Sequence, residues 1–177
     1  MRAVSLAVLA AASLLFAGCG VRYATLPDRE ARDLMLLGQD SYLDQIEHEI
    51  LRKPGSYNEP RVHYAVNCAS IGCPMLREEA CVAERLEAQL EQQAVRFLSD
   101  RSRNRVGAQG KLELSKIFDW FKEDWTSRYQ GIRSREQYFA TYAKLLTDDP
   151  GHQKLVAEGK APLWFLDYDW TLNDARK

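Results

Sequence analysis

The spacing of apolar residues along the chain predicts several helices. Ser41 and Asp44 are typical of a helix start, and apolar residues recur at helical spacing over 43–51. Residues 79–98 predict the longest helix, because a stripe of apolar residues is separated by Glu, Gln and Arg. The stripe consists of Val82, Leu86, Leu90, Ala94, Phe97 and Leu98.

Strict alternation over residues 61–67 predicts a β-strand instead. Val62, Tyr64 and Val66 fall on one face of an extended chain, and Arg61, His63, Ala65 and Asn67 fall on the other. We therefore expect a strand that presents a polar face just before the first cysteine of this region.

The second half of the chain combines both patterns. Residues 104–106 and 111–114 predict a small hairpin around two glycines, and residues 148–151 predict a turn. Ser115 is a candidate cap for a following helix, Ser134 and Gln137 resemble a capping box, and aromatic residues over 163–169 predict a closing strand. The sum is an α+β fold, a single mixed domain that is helix-rich with a small, mostly antiparallel sheet.

The N-terminus has the pattern of an export signal. Arg2 precedes an uncharged run over residues 3–17, which is shorter than the roughly 20 residues of a membrane span. The run ends in Leu15-Phe16-Ala17-Gly18-Cys19, which resembles a lipobox, although an ordinary secretory signal is the alternative. We therefore predict a lipoprotein signal peptide at 1–18, a tether at 19–38 with lipidation at Cys19, and one domain at 39–177.

Size and charge narrow the partners. One domain accounts for the chain after the signal, and a net charge of -1 supplies no basic field for nucleic acid. Gly20 after the lipidated cysteine favours the outer membrane, so we predict a lipid-anchored envelope protein that faces the periplasm. Its expected partners are the membrane and a protein or a second copy.

The candidate chemistry lies in residues 61–77. Cys68 follows the predicted strand, and Ser70, Cys73 and Arg77 follow in the next loop. A nearby positive charge lowers the pKa of a thiol, and His63 or His48 could act as its base. The spacing Cys-x4-Cys also fits a structural disulfide or a redox pair, whereas zinc held by Cys68, Cys73 and the histidines is less favoured, so we expect neither metal nor cofactor.

The same residues resemble a known family, the domain of unknown function numbered 547. The resemblance spans roughly residues 30–173. It rests on Ile46-Glu47-His48, on Pro60 to Ser70 with Asn67-Cys68-Ala69-Ser70, on Cys73-Pro74-Met75-Leu76-Arg77, on 114–120 and on 165–173. Plant members that join this domain to a glutaredoxin-like one hint at thiol chemistry. The family's upstream Trp- and Asn-rich segment is absent here, and Cys81 stands where relatives carry an aromatic residue.

Three functions follow as hypotheses. The first expectation for this chain is a binding or structural role in the envelope, with Cys68 packed as an inert thiol. The alternative is a cysteine-dependent hydrolase or transferase that uses Cys68 with His63 or His48, and the second alternative is a thiol redox protein that uses Cys68 and Cys73. Candidate supporting residues are Glu47, Arg61, Asn67, Ser70, Cys73 and Arg77.

Overall fold

The structure, a computed structural model, describes residues 34–36, 39–41 and 45–174. The predicted signal peptide and the predicted lipidation at Cys19 lie outside the described residues. Strands β1 (Leu34–Leu36) and β2 (Gln39–Ser41) pair antiparallel, and β1 lies within the segment predicted as a tether. In the part of the chain that is described, no helix combines the length and the apolar character needed to cross a bilayer.

Helices make up most of the regular structure. The α-helices are α1 (Leu86–Leu98), α2 (Ile117–Trp120), α3 (Arg135–Ala140), α4 (Ala143–Leu146) and α5 (Pro150–Ala157). A π-helical segment covers Ile46–Leu51, and 3-10 turns cover Pro60–Tyr64, Ala83–Arg85, Asp124–Thr126 and Tyr129–Gly131. The predicted helix at 43–51 is thus present from residue 45 in π-helical form, and the α+β class is confirmed.

A three-stranded sheet has the order β3 (Arg105–Val106), β4 (Leu112–Leu114) and β5 (Leu163–Phe165). β3 and β4 form the predicted antiparallel hairpin, and β5 pairs parallel to β4 with Leu112 opposite Leu163. The parallel pairing is possible because helices α2 to α5 carry the chain back between the two strands.

One core cluster joins helix α1 to the sheet and to the later helices. The buried face of α1 contributes Leu90, Ala94, Phe97 and Leu98, as its apolar stripe predicts. From the rest of the chain the cluster contains Tyr64, Leu112, Leu114, Ile117, Phe118, Trp125, Tyr138, Phe139, Ala143, Leu146, Val156 and Ala161. A smaller cluster of Ile46, Leu51 and Val62 lies under the N-terminal helical segments.

Helix α1 begins later than its apolar stripe predicts. The Gln89 side chain takes up backbone groups of the preceding segment: its Oε1 accepts from Val82 N at 2.9 Å, and its Nε2 donates to Ala80 O at 3.0 Å. Because these groups bond to a side chain rather than along a helix, residues 79–82 are not helical.

The strand predicted over 61–67 is wrong. Pro60–Tyr64 is a 3-10 turn with Pro60 at its first position, and the Glu59 side chain accepts from Arg61 N at 3.0 Å. A strand with one solvated face needs alternate residues exposed, but every residue of this turn is buried. Arg61 and His63 are polar yet buried because carboxylates pair with them.

Helix starts in the second half are governed by side chains. Ser134 Oγ accepts from Gln137 N at 3.2 Å, but the Gln137 side chain accepts from Arg133 N rather than from Ser134, so the predicted capping box is half formed. The turn predicted at 148–151 is instead the start of α5. Asp149 caps this helix by accepting from His152 N at 2.7 Å, and a proline follows at the first position.

Candidate active site

The loop after the 3-10 turn Pro60–Tyr64 holds the two cysteines of the predicted site side by side. Cys68 N donates to Cys73 Sγ at 2.9 Å, and Cys73 N donates back to Ser70 O at 3.2 Å. Asn67 also spans the loop, because its Nδ2 donates to Pro74 O. These contacts fold residues 67–74 into a tight loop in which both thiols are free.

The Cys68 sulfur is exposed and has polar neighbours. Its Sγ lies 3.0 Å from Ser70 Oγ and 3.3 Å from Tyr168 Oη, and these two hydroxyls are 2.9 Å apart. Cys73, by contrast, is buried. The expectation that Cys68 is packed in the interior is therefore wrong, while its reactivity stays a prediction.

Hydrogen bonding sets the ionisation of the pair. The hydrogen bond from Cys73, followed by those from Ser70 and Tyr168, outweighs partial burial and lowers the pKa of Cys68 to about 4. The same contact with Cys68, together with burial, raises the pKa of Cys73 far above its usual range. Burial and the neighbouring sulfur also raise the pKa of Tyr168, so its hydroxyl keeps a proton to donate. The site therefore contains an exposed thiolate beside a buried thiol.

The C-terminal segment completes the site. Ile71 N donates to Thr171 O, Gly72 N donates to Asp169 O, and both distances are 2.9 Å. Gly72 is required at its position, because a Cβ there would lie 2.8 Å from two ring atoms of Tyr168. This close approach brings the Tyr168 hydroxyl to a sulfur that lies 100 residues away in sequence.

Tyr168, which contacts this sulfur, belongs to a cluster of three aromatic side chains, here called the aromatic platform, made of Trp120, Tyr168 and Trp170. Tyr168 lies 4.6 Å from Trp170 and 4.9 Å from Trp120 between ring centroids. Trp170 is 70% exposed and Trp120 is 41% exposed. Trp170 thus lies at the surface rather than in the core.

His63 is bound away from the loop. Its Nε2 lies 2.7 Å from Asp124 Oδ2, and its ring stacks on Phe121 at 4.3 Å. Arg52 Nε donates to the same carboxylate oxygen at 2.6 Å. Burial lowers the pKa of His63. For Asp124, the hydrogen bonds from His63 and Arg52 outweigh burial and lower the pKa. His63 is thus a buried neutral donor to a carboxylate.

The remaining predicted residues of the helical segment lie near this group. His48 is exposed and contacts Arg52. Glu47 O accepts from Arg52 N at 2.9 Å, and the Glu47 charge acts on His63. The structure therefore brings Glu47, His48 and His63 together around Arg52, while Cys68 is bonded to Ser70, Cys73 and Tyr168.

Arg61 and Arg77 are anchors in the fold. Arg61 is 1% exposed, and its guanidinium pairs with Glu59 at 2.7 Å, Glu87 at 2.8 Å and Glu91 at 3.2 Å, which ties the 3-10 turn to α1. Arg77 pairs with Glu79 at 2.6 Å and donates to Gln89 O at 3.2 Å. Their positive charges are thus neutralised by carboxylates, and the pKa of Cys68 is lowered by hydrogen bonds rather than by the charge of Arg77.

Among the described residues, no group of three His, Cys, Asp or Glu side chains lies close enough together to hold a metal ion. Cys81 is a buried free cysteine that does not belong to the pair of Cys68 and Cys73. Sequence reasoning missed Tyr168 as a site residue. The signals for it in the sequence are the aromatic run over 163–169, the family-like motif over 165–173 and Gly72 in the cysteine loop.

Comparison with known proteins gives a family. The family described as Protein of unknown function, DUF547 matches residues 25–98. No curated protein and no solved structure matches the chain. The resemblance is thereby confirmed for the segment with both loop cysteines, and for residues 114–120 and 165–173 it stays a prediction. Residues 25–98 of this chain are therefore similar to the DUF547 family, whose function is unknown.

Proposed function

We propose that this protein carries out thiol–disulfide exchange with Cys68 and Cys73. The observation that carries the proposal is the 2.9 Å contact of Cys73 Sγ with the backbone of Cys68, which places a buried second thiol beside an exposed one. A hydrolase would need a base beside Cys68, but the described polar contact of His63 is with Asp124. The binding or structural role expected from the sequence stays a prediction.

The first step uses the exposed thiolate. Cys68 Sγ attacks one sulfur of a partner disulfide, the partner's S–S bond breaks, and its other sulfur leaves as a thiolate. The product is a mixed disulfide between Cys68 and the partner. The thiolate is the nucleophilic form of cysteine, and the hydrogen bonds at Cys68 keep it ionised.

The second step uses the buried thiol. Once Cys68 is in a disulfide, its negative charge is gone, and with it the interaction that raises the pKa of Cys73 most. Cys73 then loses its proton to solvent and attacks Cys68 Sγ, the bond from Cys68 to the partner breaks, and the second partner thiolate leaves. The partner disulfide has been reduced to two thiols, and Cys68 and Cys73 have been oxidised to a disulfide. The reverse sequence would pass a disulfide to a partner dithiol.

The proposal includes a location. The apolar run over 3–17 and the lipobox-like sequence at Cys19 support a lipid anchor in the cell envelope, and Gly20 favours the outer membrane. Exported compartments permit disulfides, so a thiol pair there would meet disulfide partners. This placement is tested by metabolic labelling with a palmitate analogue, which should be lost in Cys19→Ser.

The test of function is capture of the mixed disulfide. Reduced protein is mixed with the neutral 2-hydroxyethyl disulfide and digested with trypsin, which leaves both cysteines in the single peptide of residues 62–77. We expect an internal disulfide in the native chain, a mixed disulfide at Cys68 in Cys73→Ser, and neither in Cys68→Ser. Cys81→Ala is the matched control and should behave as the native chain does. Absence of the mixed disulfide in Cys73→Ser would overturn the proposal.

A further inference from the structure

The aromatic platform continues directly from the reactive sulfur. Tyr168 belongs to both, because its hydroxyl contacts Cys68 Sγ at 3.3 Å while its ring lies 4.6 Å from Trp170. Leu172, which is 52% exposed, bridges to Ser70 through the backbone and extends the apolar surface along the loop. Any molecule that places a disulfide on Cys68 therefore meets this surface.

The charged side chains near the Cys68 sulfur favour some classes of disulfide ligand over others. Two basic groups near the loop are already paired with carboxylates: Arg103, which donates to Ile71 O at 2.6 Å, is bound to Asp100 at 3.2 Å, and Arg77 is bound to Glu79. A third, the exposed Arg96, contacts Met75 Sδ. Asp169 lies in the C-terminal segment beside the platform. A small anionic disulfide such as that of glutathione gains little from the rings and meets the negative charge of Asp169, whereas an apolar segment with neutral or basic flanks fits both the rings and that charge.

We infer that the aromatic platform binds an apolar or aromatic polypeptide segment next to a disulfide and so presents that disulfide to Cys68. The substrates are then polypeptide disulfides rather than small anionic ones. Aromatic rings offset at centroid distances of 4.5–7 Å attract one another beyond their burial, and exposed Trp170 leaves a face for such a contact. This inference rests on the proposed exchange reaction.

The experiment compares three mixed disulfides, in each of which 2-thiopyridine is bonded to the sulfur of a different thiol. Attack by Cys68 on that sulfur releases 2-thiopyridine, which is measured by absorbance. The first thiol is a capped neutral pentapeptide with phenylalanine on both sides of its cysteine. The second is the same peptide with glycine in those positions, and the third is glutathione. We expect the second-order rate constant for the phenylalanine peptide to exceed that for the glycine peptide about tenfold, and glutathione to be slowest. Trp170→Ala should reduce this preference at least about threefold.

Trp164→Ala is the matched control, because Trp164 on β5 is 58% exposed but is not part of the platform. It should leave the preference unchanged. Equal rates for all three probes, or a preference that survives in Trp170→Ala, would overturn the inference while leaving the exchange reaction in place. No release from any probe would overturn the exchange reaction itself. A concentration-dependent dimer that Trp170→Ala abolishes would also count against the inference, since a second copy would then cover the platform.

Discussion

The Tyr168 hydroxyl should lower the pKa of Cys68 by a measurable amount, and Tyr168→Phe isolates that effect. The substitution keeps the ring and removes one donor at 3.3 Å from the sulfur. A hydrogen bond to a charged group contributes about 1.5–3 kcal/mol, and one pKa unit corresponds to about 1.4 kcal/mol. Because Ser70 and Cys73 still donate, we expect the lower end, a rise of the Cys68 pKa by about 1 unit.

The assay is the pH profile of alkylation by iodoacetamide, which reacts with the thiolate. With a native pKa of about 4, half of Cys68 is ionised at pH 4. A rise of about 1 unit leaves roughly a tenth ionised there, so the variant should react about fivefold more slowly at pH 4 and at nearly the native rate at pH 7. Fragment ions of the tryptic peptide 62–77 assign the label to Cys68, and circular dichroism confirms that both proteins are folded at each pH.

Tyr142→Phe is the control for loss of a tyrosine hydroxyl elsewhere. Tyr142 Oη donates to Glu91 at 3.0 Å, and so its removal should leave the Cys68 profile unchanged. An unchanged midpoint in Tyr168→Phe, or an equal shift in both variants, would refute the role assigned to Tyr168.

Three further changes test the surrounding structure by urea unfolding. Gly72→Ala should cost about 1–3 kcal/mol, because its Cβ would press on the Tyr168 ring, and should also raise the Cys68 pKa; a native-like profile would contradict this. His63 has a lowered pKa in the folded state, so below about pH 6.5 the unfolded chain takes up a proton first, and the unfolding free energy should fall by up to about 1.4 kcal/mol per pH unit. In His63→Gln the unfolding free energy should depend less on pH over that range. Equal slopes in both proteins would show that His63 protonation does not cause the loss of stability. Arg61→Met should cost about 3 kcal/mol, because it removes a buried guanidinium and leaves the partly buried Glu59 carboxylate unpaired. Exposed Arg85→Met should cost under about 0.5 kcal/mol, and similar losses in both variants would argue against this role of Arg61.

Features with local causes could be predicted from the sequence. The buried stripe of α1, the hairpin β3–β4 and the Ser134 cap each depend on residues within a few positions of one another. The same holds for the proximity of Cys68 to Ser70. The prediction from local spacing was wrong at Pro60–Tyr64. Polar and apolar residues alternate there as in a half-solvated strand, but Arg61 is buried, because carboxylates distant in sequence pair with it.

The rest of the site depends on chain segments that are distant in sequence. His63 meets Asp124 across 61 positions, and Cys68 meets Tyr168 across 100. No periodicity encodes such pairs, because they follow from how the core packs. For the same reason, the sequence suggested that His63 or His48 could act as the base for Cys68, but it could not show whether either histidine lies near that thiol.

The docking of the C-terminal segment on residues 69–72 also determines when, during folding, Cys68 becomes fully reactive. This segment lies about 100 positions after Cys68 in sequence, and its Tyr168 hydroxyl contacts both the Cys68 sulfur and Ser70 Oγ. A chain whose C-terminal segment has not yet docked therefore has a less acidic thiol at Cys68, and full reactivity begins only when the fold has closed. The protein would thus acquire its reactive sulfur during folding, when this segment docks on the cysteine loop.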